Sequence, residues 1–99
     1  MEIKKEFNNG RLVISISGKL DTVTSPLLEE ELKDLSNVKE LIFDCNDLIY
    51  ISSSGLRLIL KTYKIMNNQG SMKLINVCSL VKEILDITGF SDVIDIELA

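Results

Sequence analysis

The chain has 99 residues, 45% of them hydrophobic, and a formal net charge of −4, so it is read as one domain, residues 1–99, folded round one core. The acidic balance excludes general nucleic-acid binding, which needs a basic footprint, and the lack of histidine excludes Ser-His-Asp and Cys-His catalysis and His-based zinc sites within the chain. No apolar stretch reaches the roughly 18 residues that a membrane span needs, and Met1-Glu2-Ile3-Lys4-Lys5 lacks the apolar core of a secretory signal.

Residues 2–7 and 11–17 are predicted as two strands. Leu12, Ile14 and Ile16 alternate with Val13, Ser15 and Ser17, the period of a half-buried strand. Asn8-Asn9-Gly10 between them signals a tight hairpin, because Asn and Gly tolerate positive φ. Gly18-Lys19-Leu20-Asp21 is expected to end the second strand. Ser25-Pro26 opens a helix, with serine as the cap and proline in the first turn. Glu29, Glu30 and Glu31 are placed in its first turns, where the helix dipole favours acids, and Leu27, Leu28, Leu32 and Leu35 supply its apolar stripe.

Residues 40–44 form a short apolar strand of the kind buried in a parallel sheet, followed by a loop at Cys45-Asn46-Asp47. A second helix runs from Ser53 or Ser54 to Asn67, with Leu56, Ile59, Leu60 and Tyr63 at helical spacing, and Asn67-Asn68-Gln69-Gly70 stops it. Residues 72–77 read as a strand. Ser79 is the expected cap of a third helix carrying Leu80, Val81, Ile84 and Leu85, and Gly89 its left-handed terminator. Val93, Ile94 and Ile96 add a last short strand. A hairpin followed by alternating helix and strand gives an α/β fold: a mixed four- to five-stranded sheet with three to four packed helices. Cys45 and Cys78 have no metal-ligand spacing and are read as free thiols of a cytoplasmic protein.

The residues Ser52-Ser53-Ser54-Gly55 stand at the junction of an apolar run and an amphipathic helix. One hydroxyl is enough to cap that helix; three leave a surplus. An oxygen at a helix N-terminus is exposed, and a phosphate there meets the favourable end of the dipole, so the junction reads as capping alone or as a phosphorylation switch. It does not complete the G-x-S-x-G nucleophile elbow, because Ser52 stands where the first glycine belongs. Gly55 is read as allowing a close backbone approach, Leu56 as either core or contact, and Arg57 as a solvated helix residue.

The segment Leu48-Ile49-Tyr50-Ile51-Ser52-Ser53-Ser54-Gly55-Leu56-Arg57 resembles the signature of the anti-sigma-factor antagonists, the bacterial STAS domains: an apolar strand end, then Asp-Ser-Ser/Thr-Gly-Leu, then a helix. Gly18-Lys19-Leu20-Asp21 is similar to the family's early Gly-Glu-Leu-Asp. Met72–Val77, Val81–Leu85 and Thr88-Gly89-Phe90 are similar to its last strand and helix. The resemblance implies a STAS-like fold and a switching protein with no catalysis and no cofactor. Its partners would be an anti-sigma factor that is itself a serine kinase and a PP2C-like phosphatase. The modified serine would be Ser53, and Asp21, Thr22, Ser52, Ser53, Ser54, Gly55 and Leu56 would meet the partner. Ser52 in place of the common Asp, and Lys19 in place of the common Glu, are departures. The alternative is a STAS interaction module that is not phosphorylated, in a lipid-transport or stress-sensing complex.

Overall fold

A computed structural model describes all residues, Met1–Ala99. The strands are β1 (Ile3–Asn8), β2 (Arg11–Leu20), β3 (Glu40–Ile51), β4 (Ser71–Val77) and β5 (Asp95–Leu98), and the helices are α1 (Ser25–Glu31), α2 (Ser53–Asn67) and α3 (Ser79–Ile87). A 3-10 turn, Phe90–Asp92, precedes β5. The strands lie in the order β1-β2-β3-β4-β5; β1 is antiparallel to β2, and every later pair is parallel. Each parallel pair is joined through one helix, as a crossover requires.

The hairpin forms as its sequence predicts. Asn9 and Gly10 both take positive φ, 52° and 82°, which suits the right-handed twist of the flanking strands. On one face of the sheet the rows Phe7–Leu12–Leu41–Met72 and Ile14–Phe43–Leu74–Ile96 line up in register. Leu28 of α1, Ile59 and Met66 of α2, and Val81 and Leu85 of α3 join Leu12, Ile14, Leu41, Phe43, Met72 and Leu74 in a single core cluster of 23 buried side chains, with Ile96 packed against it. All three helices therefore cover the same face.

Several boundaries differ from the sequence expectation. β2 does not stop at Ser17 but continues through Gly18 to Leu20. β3 is 12 residues long, with no loop at Cys45-Asn46-Asp47. Its pairing with β2 slips twice, from Ser15–Asp44 to Ser17–Asp47 and from Gly18–Leu48 to Lys19–Tyr50, so β3 carries an extra residue each time. These bulges turn the strict alternation Leu41, Phe43, Cys45 into the wider spacing Leu48, Ile51 and leave Asn46 and Asp47 outward.

α1 has seven residues, so Glu29 to Glu31 occupy its last turn rather than its first, and no acid stands in the first turn. Ser25 does not cap it: Thr24 holds that position, without a capping side-chain bond, and Ser25 is buried. Leu27 points outward, whereas Leu32, Leu35 and Val38 are buried along the non-helical connector to β3. Cys78, not Ser79, is the cap residue of α3. Gly89 is left-handed at φ 82°, as its position predicts. The buried spine of α2 is Gly55, Ile59, Thr62 and Met66, flanked by Leu56 and Leu58, so it is rotated slightly from the predicted stripe.

Both cysteines are free; Cys45 is buried and Cys78 half-buried. Loss of solvent pushes the Cys45 thiol up to about 12, with the Asp44 charge adding to the effect. In the folded protein at about pH 8 a thiol reagent should therefore label Cys78 well before Cys45, and denaturant should expose both; timed alkylation with peptide mapping checks this.

Candidate functional site

The site is built where β2 and β3 end side by side. Leu20 and Ile51 are paired and buried, and the Ser52 N–H donates to the Leu20 carbonyl at 2.9 Å. The extended backbone of Ser52 then turns the chain into α2, and its Oγ accepts from the Gly55 N–H at 3.4 Å. Ser52 is thus the N-cap, and Ser53 and Ser54 are the first two helical residues.

Gly55 is required by space. A Cβ there would lie 2.8 Å from both the Leu20 carbonyl oxygen and Leu20 Cγ, and 2.9 Å from Ile51 Cγ1. The missing side chain lets the first turn of α2 sit directly on the strand ends. Leu56 is 7% exposed and belongs to the core. Gly55 and Leu56 therefore lie beneath the surface, while Ser52, Ser53 and Ser54 lie at it.

The three hydroxyls have different surroundings. That of Ser52 caps. That of Ser54 is 3.0 Å from Thr22 Oγ1 and accepts from Arg57 Nη2 at 3.3 Å. That of Ser53 is exposed and has no partner in the chain. No acidic residue stands in the first turn of α2, so nothing in that turn opposes added negative charge.

Asp21 and Thr22 lie in the turn between β2 and α1. Asp21 Oδ1 accepts from the Val23 and Thr24 N–H groups, each at 3.0 Å. Thr24 Oγ1 accepts from the Asp21 N–H at 2.9 Å and gives its proton to the Lys19 carbonyl at 2.7 Å. The Thr24 N–H above all, helped by the Val23 N–H and the Lys19 charge, holds the Asp21 carboxyl below the usual aspartate range; desolvation, second in size to the Thr24 N–H, opposes them. Asp21 thus shapes the turn that carries Thr22 to Ser54. The resemblance implies that Asp21 meets the partner; its hydrogen bonds within the chain are all to its own turn.

Three apolar side chains at this end of the sheet are exposed, which the sequence reading did not anticipate: Val23, Ile49 and Tyr50. Ile49 and Tyr50 sit at the second β3 bulge, beyond the reach of simple alternation. A groove of about 320 Å³ between α1 and α2 is lined by Thr22, Ser54, Arg57 and Lys61 among others, and Lys61 bridges it to Glu29 at 3.2 Å. Chemically, the arrangement offers one free hydroxyl beside unpaired helix N–H groups, on a rim of mixed polar and apolar side chains.

Comparison with known proteins adds the following. The family model for the STAS domain matches residues 2–99. The anti-sigma-B factor antagonist of Bacillus subtilis (strain 168) is 34% identical over 91 residues, 90% of this chain and 84% of that protein. The crystal structure of an anti-sigma factor antagonist from Mycobacterium paratuberculosis superposes with a TM-score of 0.88 at 21% identity, covering 99% of this chain and 86% of that one. The Bacillus cell fate determinant SpoIIAA, solved in its phosphorylated form, superposes with a TM-score of 0.75 at 18% identity over 96% and 90% of the two chains.

Two outcomes test the geometry. Gly55→Ala should cost about 1–3 kcal/mol in chemical unfolding, because a methyl group would press on backbone rather than on a yielding side chain. Acidification should remove the contribution of Asp21. Its folded-state pKa is depressed, so this stabilisation is present above the unfolded value, about 3.9, and is lost as pH falls through the lower folded value. An Asp21→Ala variant, less stable near neutrality, should then approach the parent as the pH drops through that window, as followed by urea unfolding.

Proposed function

The chain belongs to the STAS domain family, and from that premise we propose that it is an anti-sigma factor antagonist. It docks on an anti-sigma factor that is itself a serine kinase and is released when that partner phosphorylates Ser53. A PP2C-like phosphatase removes the phosphate and restores docking. The protein performs no catalysis of its own and works in the cytoplasm; no helix is long and apolar enough to cross a membrane.

The carrying observation is the Ser53 hydroxyl, exposed and unpartnered at the mouth of α2. Asp21, Thr22, Ser52 and Ser54 form the surface round it, with Gly55 and Leu56 holding that surface from below. The names of the relatives support the role, and the phosphorylated form of SpoIIAA supports the means of control.

Phosphate adds about −1.5 to −2 charges and three acceptor oxygens. At a helix N-terminus it is stabilised by roughly 0.3–1 kcal/mol, so the fold has no reason to change. Burying it against a partner costs several kcal/mol unless the partner pairs it. About 1.4 kcal/mol is tenfold in affinity, so a local charge is enough for release.

Incubation with the candidate kinase and ATP, followed by peptide mapping, should place a single phosphate on Ser53. Ser53→Ala should stay bound in the presence of ATP, and Ser53→Asp should bind at least about tenfold more weakly than Ser53→Ala. Equal binding of the two variants would contradict release by charge. Stable association with no modification would instead indicate a STAS module of a lipid-transport or stress-sensing complex.

A further inference from the structure

We propose that Arg57 is the internal counter-ion of phosphorylated Ser53, drawn from Ser54 Oγ onto the phosphate when Ser53 is modified. This rests on the reading of Ser53 as the modified residue and goes beyond it, because it assigns the phosphate a fixed partner within the chain.

Ser53 and Arg57 are four residues apart on α2 and share a face of the helix. Long helical side chains lean towards the N-terminus, and the contact of Arg57 Nη2 with Ser54 Oγ at 3.3 Å shows the guanidinium doing so. It is already beside the residue next to the modified one. Its present partner is a neutral hydroxyl, and Arg57 takes part in none of the chain's ion pairs.

The two other cations at this end of the molecule are placed differently from Arg57. Lys61, further along α2, pairs with Glu29 of α1 at 3.2 Å. Lys19, at the end of β2, is in no ion pair either, but its side chain makes no hydrogen bond to the start of α2, where Arg57 Nη2 already meets Ser54 Oγ. A phosphate outcompetes a hydroxyl for a guanidinium, because the acceptor then carries the opposite charge and can take two parallel N–H bonds. Modification then leaves Ser54 Oγ with Thr22 alone and turns the cation of this rim inward, away from any docking partner.

The test uses the full chain with phosphoserine placed at position 53 during translation, so no kinase is involved. Phosphorus NMR follows the second ionisation of the phosphate, ordinarily near pH 6. The midpoint should lie about half a pH unit lower in the parent than in Arg57→Ala. Arg57→Gln, which keeps the packing of the stem, should match Arg57→Ala; Arg57→Lys should retain part of the shift, and Lys61→Ala all of it. Equal midpoints in parent and Arg57→Ala would overturn the assignment. So would a Lys61→Ala effect as large as that of Arg57→Ala, which would mean a diffuse field rather than a partner. If the kinase fails to modify Ser53, the proposed function falls while this titration still decides the place of Arg57.

Discussion

The site depends on the contact between the first turn of α2 and the end of β2. The Leu20 carbonyl takes the Ser52 N–H, and Gly55 passes so close that no side chain fits between. Leu20 is fully buried and paired with Ile51, so the platform beneath the turn is itself part of the core. The depth and direction of the serine cluster follow from that contact. With the helix seated on the strand ends, Ser52 is spent on the cap, Ser54 is tied to Thr22 and Arg57, and Ser53 alone projects free. The parallel order of the sheet brings this about, because it sets the ends of β2 and β3, and with them the starts of α1 and α2, at the same edge of the molecule.

Rigidity below and freedom above fit the proposed modification of Ser53, a chemical change that would leave the fold as it is. The core cluster draws on all three helices and all the strands from β2 to β4, and its members reach to within one residue of Ser52. Above it, the Asp21 turn is closed by its own hydrogen bonds rather than by contacts that a phosphate would disturb. A charge added to Ser53 enters an acid-free helix start beside a guanidinium. Its cost falls on whatever docks there, which is the physical requirement for a switch that reads out as binding and not as folding.

Much of this was legible in the sequence because local rules and the fold agree there. Asn9-Gly10 specifies its turn by φ, Gly89 its helix end, and the alternation at Leu12, Ile14 and Ile16 the core face of β2. Sequence reading failed where pairing between strands overrides local pattern. The two bulges carry β3 through Asn46-Asp47, which locally read as a turn, and on to Ile51. α1 starts at Ser25, so its acids begin only at the fifth helical residue, and it ends at Glu31, so that Leu32 and Leu35 reach the core from a non-helical connector. The serine motif announced the candidate site, but the burial of Gly55 and Leu56, the link from Thr22 to Ser54 and the exposed rim of Val23, Ile49 and Tyr50 depend on elements distant in sequence. No period in one segment encodes them.

The most direct test of a rigid, surface-acting switch is a comparison of amide NMR spectra of the chain before and after phosphate is placed on Ser53. Shift changes confined to the Asp21 turn, the strand ends beside it and the first turns of α2, with unchanged amide-exchange protection in the core strands, are the predicted result. Shifts spread through the β3–β4 core, or lost protection along α2, would mean that modification remodels the fold, and would contradict release by local charge.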